Sequence, residues 1–193
     1  MKKIIACLGR TSAEDVCEAA VWAAATTQQP LLFVHALEKS VRPVHSSFDG
    51  MLGLENYSEL LEELTILDEQ RNRLALDAGR MLLDGASQLA QKQGLEQVET
   101  LQQHSSLVEM LSGLTDSSAM MLLGKAQEPI VRIEHVIQQV KTPLLLVRPN
   151  FHEPKRFMLA YDGRETAERI VRWLTENDLL QGLDCHVVSV RNK

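Results

Sequence analysis

The stretch that decides the fold of this chain is Ile4-Ile5-Ala6-Cys7-Leu8-Gly9-Arg10-Thr11-Ser12-Ala13-Glu14. It recurs without a gap as Met158-Leu159-Ala160-Tyr161-Asp162-Gly163-Arg164-Glu165-Thr166-Ala167-Glu168. Ala, Gly, Arg, Ala and Glu are identical between the two copies, and the apolar run at 31–34 falls at the same offset on the run at 185–188. A repeat of domain length indicates two copies of one fold. The second copy is short, because the sequence stops soon after its second apolar run.

Around this stretch, the apolar pattern predicts a strand, a helix and a second strand. The strand over 3–8 precedes a helix that Ser12 can cap. Pro30 ends the helix, and the second strand follows over 31–36. Such a unit requires parallel pairing of its strands with a right-handed crossover.

The same alternation continues to residue 150 and predicts the fold class α/β. Five strands alternating with four helices predict an open, doubly wound, five-stranded parallel sheet with helices on both faces. We divide the chain into a domain over 1–150 and a partial second copy, strand–helix–strand, over 151–193. The remaining predicted elements are a loop over 39–57, a helix over 58–93, a strand over 98–101, a short helix capped by Ser105 or Ser106 with Glu109, a strand over 119–123 ending at Gly124, a helix over 129–141, a strand over 144–147, and in the second copy a strand over 156–161, a helix over 165–177 and a strand over 184–190.

The helix over 58–93 is the longest predicted element and carries a leucine-rich pattern. We predict that one apolar stripe packs it onto the domain and that the charged residues at 59–73 form its solvated face. The stripe consists of Leu60, Leu61, Leu64, Leu67, Leu74, Leu82 and Leu83.

Composition excludes several classes of function. The net charge is −6 and aromatic residues are only 4%, so neither a basic nucleic-acid surface nor a base-stacking platform is expected. No apolar stretch is long enough to span a bilayer, so no membrane association is predicted. The three cysteines form no framework, which favours a reducing compartment, the cytoplasm. The six histidines lack ligand spacing, so no metal site is predicted.

In an open parallel sheet, ligands bind beyond the carboxyl ends of the strands. Residues at these ends form the candidate site: Gly9, Arg10, His35, Gly124, Lys125, Asp162 and Gly163. Lys125 is either a phosphate contact or a solvated loop lysine, and His35 is either a crevice residue or a structural histidine. The loop after Gly124 has no further glycine, and Glu128 places negative charge where a phosphate would sit. These residues therefore predict that no phosphate cradle forms there.

Four features of the sequence resemble the universal stress protein family, in its tandem-domain bacterial form. They are the paired starts, the long insertion and helix at 39–93, the strand ending in Gly124, and the segment Thr142-Pro143-Leu144-Leu145-Leu146-Val147-Arg148-Pro149. ATP-binding members of that family carry an acidic residue after the first strand and a Gly-x-x-Gly motif followed by Gly-Ser/Thr. Here Leu8 stands at the acidic position, and Ile130-Val131 stands where Gly-Ser would be. Asp162-Gly163 matches the family pattern in the second copy. The resemblance implies that Asp162 contacts a nucleotide ring; the alternative is that it simply forms the strand-to-helix turn.

Three functions follow as hypotheses. The first is a non-catalytic, universal-stress-like protein in the bacterial stress response that acts by protein association. It predicts a homodimer through Leu144–Val147 or through the unit at 156–190, because exposed strand edges and apolar sheet faces are costly unless covered.

The second is a module that binds ATP or a related adenine nucleotide. The third is a hydrolase or transferase on the same scaffold, for which the sequence offers no acid–base pair or activated nucleophile. Whether Lys193 is a natural end or a truncation stays open.

Overall fold

The computed structural model describes residues 2–9, 11–38, 54–125 and 130–189. Arg10, most of the predicted loop at 39–57 and the segment 126–129 therefore lie outside the described residues. The strands are β1 (Lys3–Cys7), β2 (Leu31–Ala36), β3 (Val98–Gln103), β4 (Ser118–Gly124), β5 (Leu144–Val147), β6 (Arg156–Ala160) and β7 (Asp184–Val188). The helices are α1 (Ala13–Thr27), α2 (Leu54–Lys92), α3 (Leu107–Gly113), α4 (Ile130–Gln139) and α5 (Glu165–Glu176).

The first five strands form one parallel sheet in the order β3-β2-β1-β4-β5. Strand β1 lies at its centre because side chains on both of its faces are apolar and buried. Ile4 and Ala6 point into the layer of α1 and α2, whereas Ile5 and Cys7 point into the layer of α3 and α4. The predicted doubly wound α/β class, with helices on both faces, is therefore confirmed.

Helix α1 packs closely on the sheet because its inner face is built from small residues. Ala19, Ala20, Ala23 and Ala24 are each at most 1% exposed. The cap predicted at Ser12 is wrong in its mechanism: the side chain makes no capping hydrogen bond, and its buried hydroxyl has no hydrogen-bond partner among the described residues. By contrast, Ser106 and Glu109 form the predicted capping box at the start of α3.

Helix α2 begins at Leu54, so the last residues of the predicted loop at 39–57 are helical. The single leucine stripe predicted for this helix is also wrong for its described members; the side chains of Leu60 and Leu61 lie outside the described residues. Leu64, Leu67 and Leu74 are exposed, whereas the side chains that reach the core come from its last third: Leu83, Ala86 and Ala90. The helix thus has two apolar faces that point in different directions. Among the described residues, no helix is both long enough and apolar enough to cross a bilayer.

The second copy forms a two-stranded parallel sheet of β6 and β7 with α5 between them along the chain. It rests on the first domain through Trp173, Leu179 and Leu180, which pack against the core that contains α1. Leu179 is only 6% exposed. Every residue of β7, in contrast, is exposed.

Candidate functional site

The strand order reverses around β1, so the ligand crevice of this fold lies at the carboxyl ends of β1 and β4. Leu8 follows β1 directly, and its N–H donates to the Val34 carbonyl at 2.8 Å. Gly9 beyond it is half-buried. At the end of β4, the Lys125 N–H donates to the Val147 carbonyl at 2.8 Å, while the Lys125 side chain is exposed. The structure thus brings Gly9, Gly124 and Lys125 to one edge of the sheet.

His35, near the end of β2, hydrogen-bonds a backbone carbonyl at this edge of the sheet. Its Nδ1 lies 2.7 Å from the Leu8 carbonyl oxygen, so Nδ1 carries the proton and donates it. The ring is half-buried. This geometry matches the structural interpretation of His35, because the ring satisfies the carbonyl at the end of the central strand.

The same histidine also forms part of the surface on which α2 rests. Gly79 of α2 packs so closely that a Cβ built there would lie 2.6 Å from His35 Cδ2 and would overlap Gln102 Nε2. Gln102 Nε2 in turn donates to the Leu76 carbonyl at 3.1 Å. A close helix–sheet contact, built on one glycine, therefore occupies the β2–β3 side of the edge. The sequence pattern did not indicate this role for Gly79 or Gln102.

Leu8 makes the end of the central strand apolar. It is 1% exposed and belongs to the core shared with α1. An acidic side chain at this position would be buried among apolar neighbours, where a carboxylate is strongly disfavoured. The predicted site residue Arg10 and the segment 126–129 lie outside the described residues.

Asp162 and Gly163 lie in a different place, at the end of β6 in the second sheet. Asp162 Oδ1 accepts a hydrogen bond from the Arg164 N–H at 3.0 Å, and Oδ2 lies 3.6 Å from Arg164 Nε. Gly163 has a φ of +74°, which a residue with a side chain adopts only with strain. Both residues thus build the strand-to-helix turn that precedes α5.

A cavity of about 460 Å³ opens at the carboxyl ends of β2 and β3, beside the start of α3. Two carboxylates that line the cavity accept hydrogen bonds from the N-terminus of α3. The Glu38 carboxylate accepts one from the Leu107 N–H at 3.3 Å, and Glu109 Oε2 accepts one from the Ser106 N–H at 3.0 Å. The Ser106 backbone N–H and then its side chain lower the pKa of the Glu109 carboxyl. Two carboxylates therefore stand where an anionic ligand would need positive potential. Sequence reasoning missed Glu38, because nothing local pairs it with Leu107.

A second cavity, of about 530 Å³, separates α1 from the linker to the second copy. Phe151 of the linker is held from two sides. Its N–H donates to Asp15 Oδ1 at 2.9 Å, and its ring lies 6.1 Å from the ring of Trp22. The linker thus packs against α1 through Phe151.

The described residues offer little for covalent or metal chemistry. Burial, followed by the charges of Glu18 and Glu14, raises the pKa of the Cys17 thiol to about 12, so Cys17 is not a thiolate at neutral pH. Among the described residues, no group of three or more His, Cys, Asp or Glu side chains is arranged to hold a metal ion.

Comparison with known proteins gives one match over nearly the full sequence and several matches of fold. No protein family model matches the chain. The universal stress protein Slr1230 of Synechocystis is 26% identical over 203 residues, a match that covers 98% of this chain and 70% of that protein. Among solved structures, the universal stress protein UspA of Lactobacillus plantarum aligns with a TM-score of 0.52 at 12% identity, over 76% of this chain and 97% of that one.

A functionally unknown protein of Pseudomonas aeruginosa, PA1789, aligns over more of the molecule. The TM-score is 0.55 at 11% identity, and the alignment covers 98% of this chain and 60% of the Pseudomonas chain. At such identities the structural matches show the fold alone. The repeated strand-to-helix start, the sequence match and the shared fold together make the chain similar to the universal stress proteins.

Proposed function

We propose that this chain is a non-catalytic, universal-stress-type protein of the bacterial stress response and that it acts by self-association. The observation that carries the proposal is the open sheet face of the second copy. We define this face by Met158, Ala160, His186 and Val188, which the strand register places on one side of β6 and β7. All four side chains are exposed.

The open sheet face is costly in an isolated molecule. Met158 is 70% exposed and Val188 45%, although both sit on a regular sheet next to a packed domain. A sheet of two strands also presents unpaired backbone groups along both edges, and isolated pairs of strands are only marginally stable. Burying the open sheet face against a second copy removes apolar surface from water and stabilises the pair of strands.

The other predicted contact, Leu144–Val147, supports the proposal less strongly. Strand β5 is at one edge of the five-stranded sheet and pairs with β4. Its three leucines are half-buried, and they already pack against the two cores of the domain. The open sheet face therefore has more apolar surface left to cover.

Met158→Lys is expected to weaken self-association. A lysine at the centre of the open sheet face would lose its hydration in the contact, so the concentration at which this contact is half formed should rise at least about tenfold. Sedimentation velocity over a dilution series measures this. Ile137→Lys is the matched control, because Ile137 is 55% exposed on α4 of the first domain. Equal effects of the two variants, or a wild-type protein that is monomeric at micromolar concentration, would contradict the proposed contact.

Calorimetry with ATP and Mg²⁺ tests the alternative, adenine-nucleotide binding. We expect no saturating isotherm below about 1 mM, a dissociation constant that corresponds to only about 4 kcal/mol of binding free energy. The reason is that Leu8 is apolar and buried and that His35 donates to the Leu8 carbonyl. A saturating isotherm in the micromolar range would replace our proposal with a nucleotide-binding function.

A further inference from the structure

Helix α2 extends well beyond the domain on which it rests. Every described side chain from 62 to 74 is exposed, and the first half-buried ones are Ala75 and Leu76. Closer contact begins at Gly79, which is buried. The 13 residues from 62 to 74 form a segment of about 20 Å, at 1.5 Å per residue, that projects beyond the domain.

This outer part of α2 carries a regular apolar seam on the face that points away from the domain. We define the α2 seam as Leu64, Leu67, Arg71, Leu74, Ala78 and Met81, which follow one another in alternating steps of three and four residues. Leu64 is 42% exposed, Leu67 58%, Leu74 70% and Met81 75%. A single such residue needs no explanation, but a heptad row of them is typical of a helix that pairs with another helix.

We propose that the α2 seam is the contact for an antiparallel coiled coil with α2 of a second copy of this chain. This contact is separate from the open sheet face and goes beyond the function proposed above. Two identical antiparallel helices form a closed, two-fold contact, in which the same surface of each copy is used.

The charges along α2 favour the antiparallel over the parallel arrangement. Residues 62–70 carry four acidic side chains, Glu62, Glu63, Asp68 and Glu69, and no basic one. A parallel pair in register would place this acidic segment beside itself and Arg71 opposite the partner's Arg71, and like charges repel. In the antiparallel pair, the acidic segment lies beside residues 75–83, which carry one acid, Asp77, and one base, Arg80.

The antiparallel register that uses the whole seam places Leu64 opposite the partner's Met81. Arg71 then lies opposite the partner's Leu74, and its aliphatic stem can cover that leucine while the guanidinium stays in water. Ala78 lies opposite the partner's Leu67, so a small side chain meets a large one.

The test uses the full chain with Met158→Lys, which weakens the contact proposed for the open sheet face. In this background, sedimentation equilibrium is expected to show a dimer held by the α2 seam, whereas the wild type, which has both contacts, is expected to form larger assemblies. Adding Leu67→Glu should raise its dissociation constant about 100-fold or more, because two carboxylates enter the seam. Adding Ile66→Glu should change it less than about threefold. Ile66 is the matched control: it is 54% exposed on the same helix but lies off the seam.

The outcomes separate the two contacts. A monomer with Met158→Lys alone, or equal effects of Leu67→Glu and Ile66→Glu, would overturn the α2 contact and leave the open sheet face untouched. Both substituted leucine and isoleucine side chains are exposed in the single molecule, so circular dichroism should show unchanged folding for each variant.

Disulfide cross-linking tests the orientation. With the exposed Cys185 replaced by serine, the double variant Leu64→Cys with Met81→Cys is expected to give a covalent dimer on mild oxidation. Each single variant should stay largely uncross-linked, because its cysteine faces a leucine or methionine of the partner. Rapid cross-linking of the Met81→Cys single variant would show a parallel pair and overturn the antiparallel proposal.

Discussion

Leu8→Asp is expected to destabilise the protein by about 4 kcal/mol at pH 7, because it removes a fully buried apolar side chain and introduces a buried carboxylate. Leu8 is 1% exposed and sits in the core with α1. A domain of this size has about 5–15 kcal/mol of stability in total, so the loss should be severe. Urea denaturation measures it. The substitution restores the acidic residue of the ATP-binding pattern, and we expect it to confer no ATP binding.

The pH dependence of this variant separates the charge from the loss of apolar contacts. Leu8→Asn is the matched control, since asparagine has nearly the same shape as aspartate and carries no charge. Burial should hold the pKa of the introduced carboxyl above its unfolded value of about 3.9, so folding favours the protonated form. The extra cost of Asp over Asn should therefore be fully present at pH 7 and shrink as the pH falls towards 4. A cost independent of pH would mean that the carboxylate reaches solvent, and the crevice would then be open at Leu8.

Gly79→Ala is expected to lower the free energy of unfolding by about 1–2 kcal/mol, the second largest effect on stability that we predict. The new methyl group would overlap Gln102 Nε2 and press on His35 Cδ2. His35 holds the Leu8 carbonyl and Gln102 holds the Leu76 carbonyl, so relieving the overlap disturbs one of these hydrogen bonds. This cost exceeds the helix propensity of about 1 kcal/mol that alanine gains over glycine.

Gly85→Ala provides the control within the same helix. Apart from its own helix backbone, no atom of the described residues lies within 4 Å of a Cβ built at Gly85, so only the helix propensity changes and the variant should be more stable by about 0.5–1 kcal/mol. Urea midpoints of the two variants should therefore move in opposite directions. Should both variants be stabilised, α2 would rest on the sheet less closely than the structure shows.

The alternation of strands and helices could be predicted from the sequence because it depends on local patterns. Short apolar runs with flanking helices define β1, β2, β4 and β5, and parallel pairing follows from the crossovers. The start of α3 could be predicted for the same reason, since Ser106 and Glu109 are three residues apart and form a capping box. The elements of the second copy followed from its match to the first.

The orientation of α2 could not be predicted in the same way. Its leucines suggest one stripe, but they divide between the core at Leu83 and the exposed seam at Leu64, Leu67 and Leu74. The two groups lie on different faces of the helix, and only the tertiary structure shows which face packs on the domain. Ser12 shows the same limit: a residue suited to capping is instead buried with no hydrogen-bond partner in the described part of the chain, because packing on the sheet sets its backbone and surroundings.

The sequence by itself determined that this chain repeats one strand-to-helix start, folds as a doubly wound sheet, and has Leu8 where an acidic residue is expected. These features depend on residue type and short spacing. Only the tertiary structure decided that His35 holds the Leu8 carbonyl, that Gly79 meets Gln102, and which apolar faces remain open to a second copy. Those outcomes depend on contacts between residues far apart in the chain, such as His35 and Gly79, whose distances no local pattern specifies.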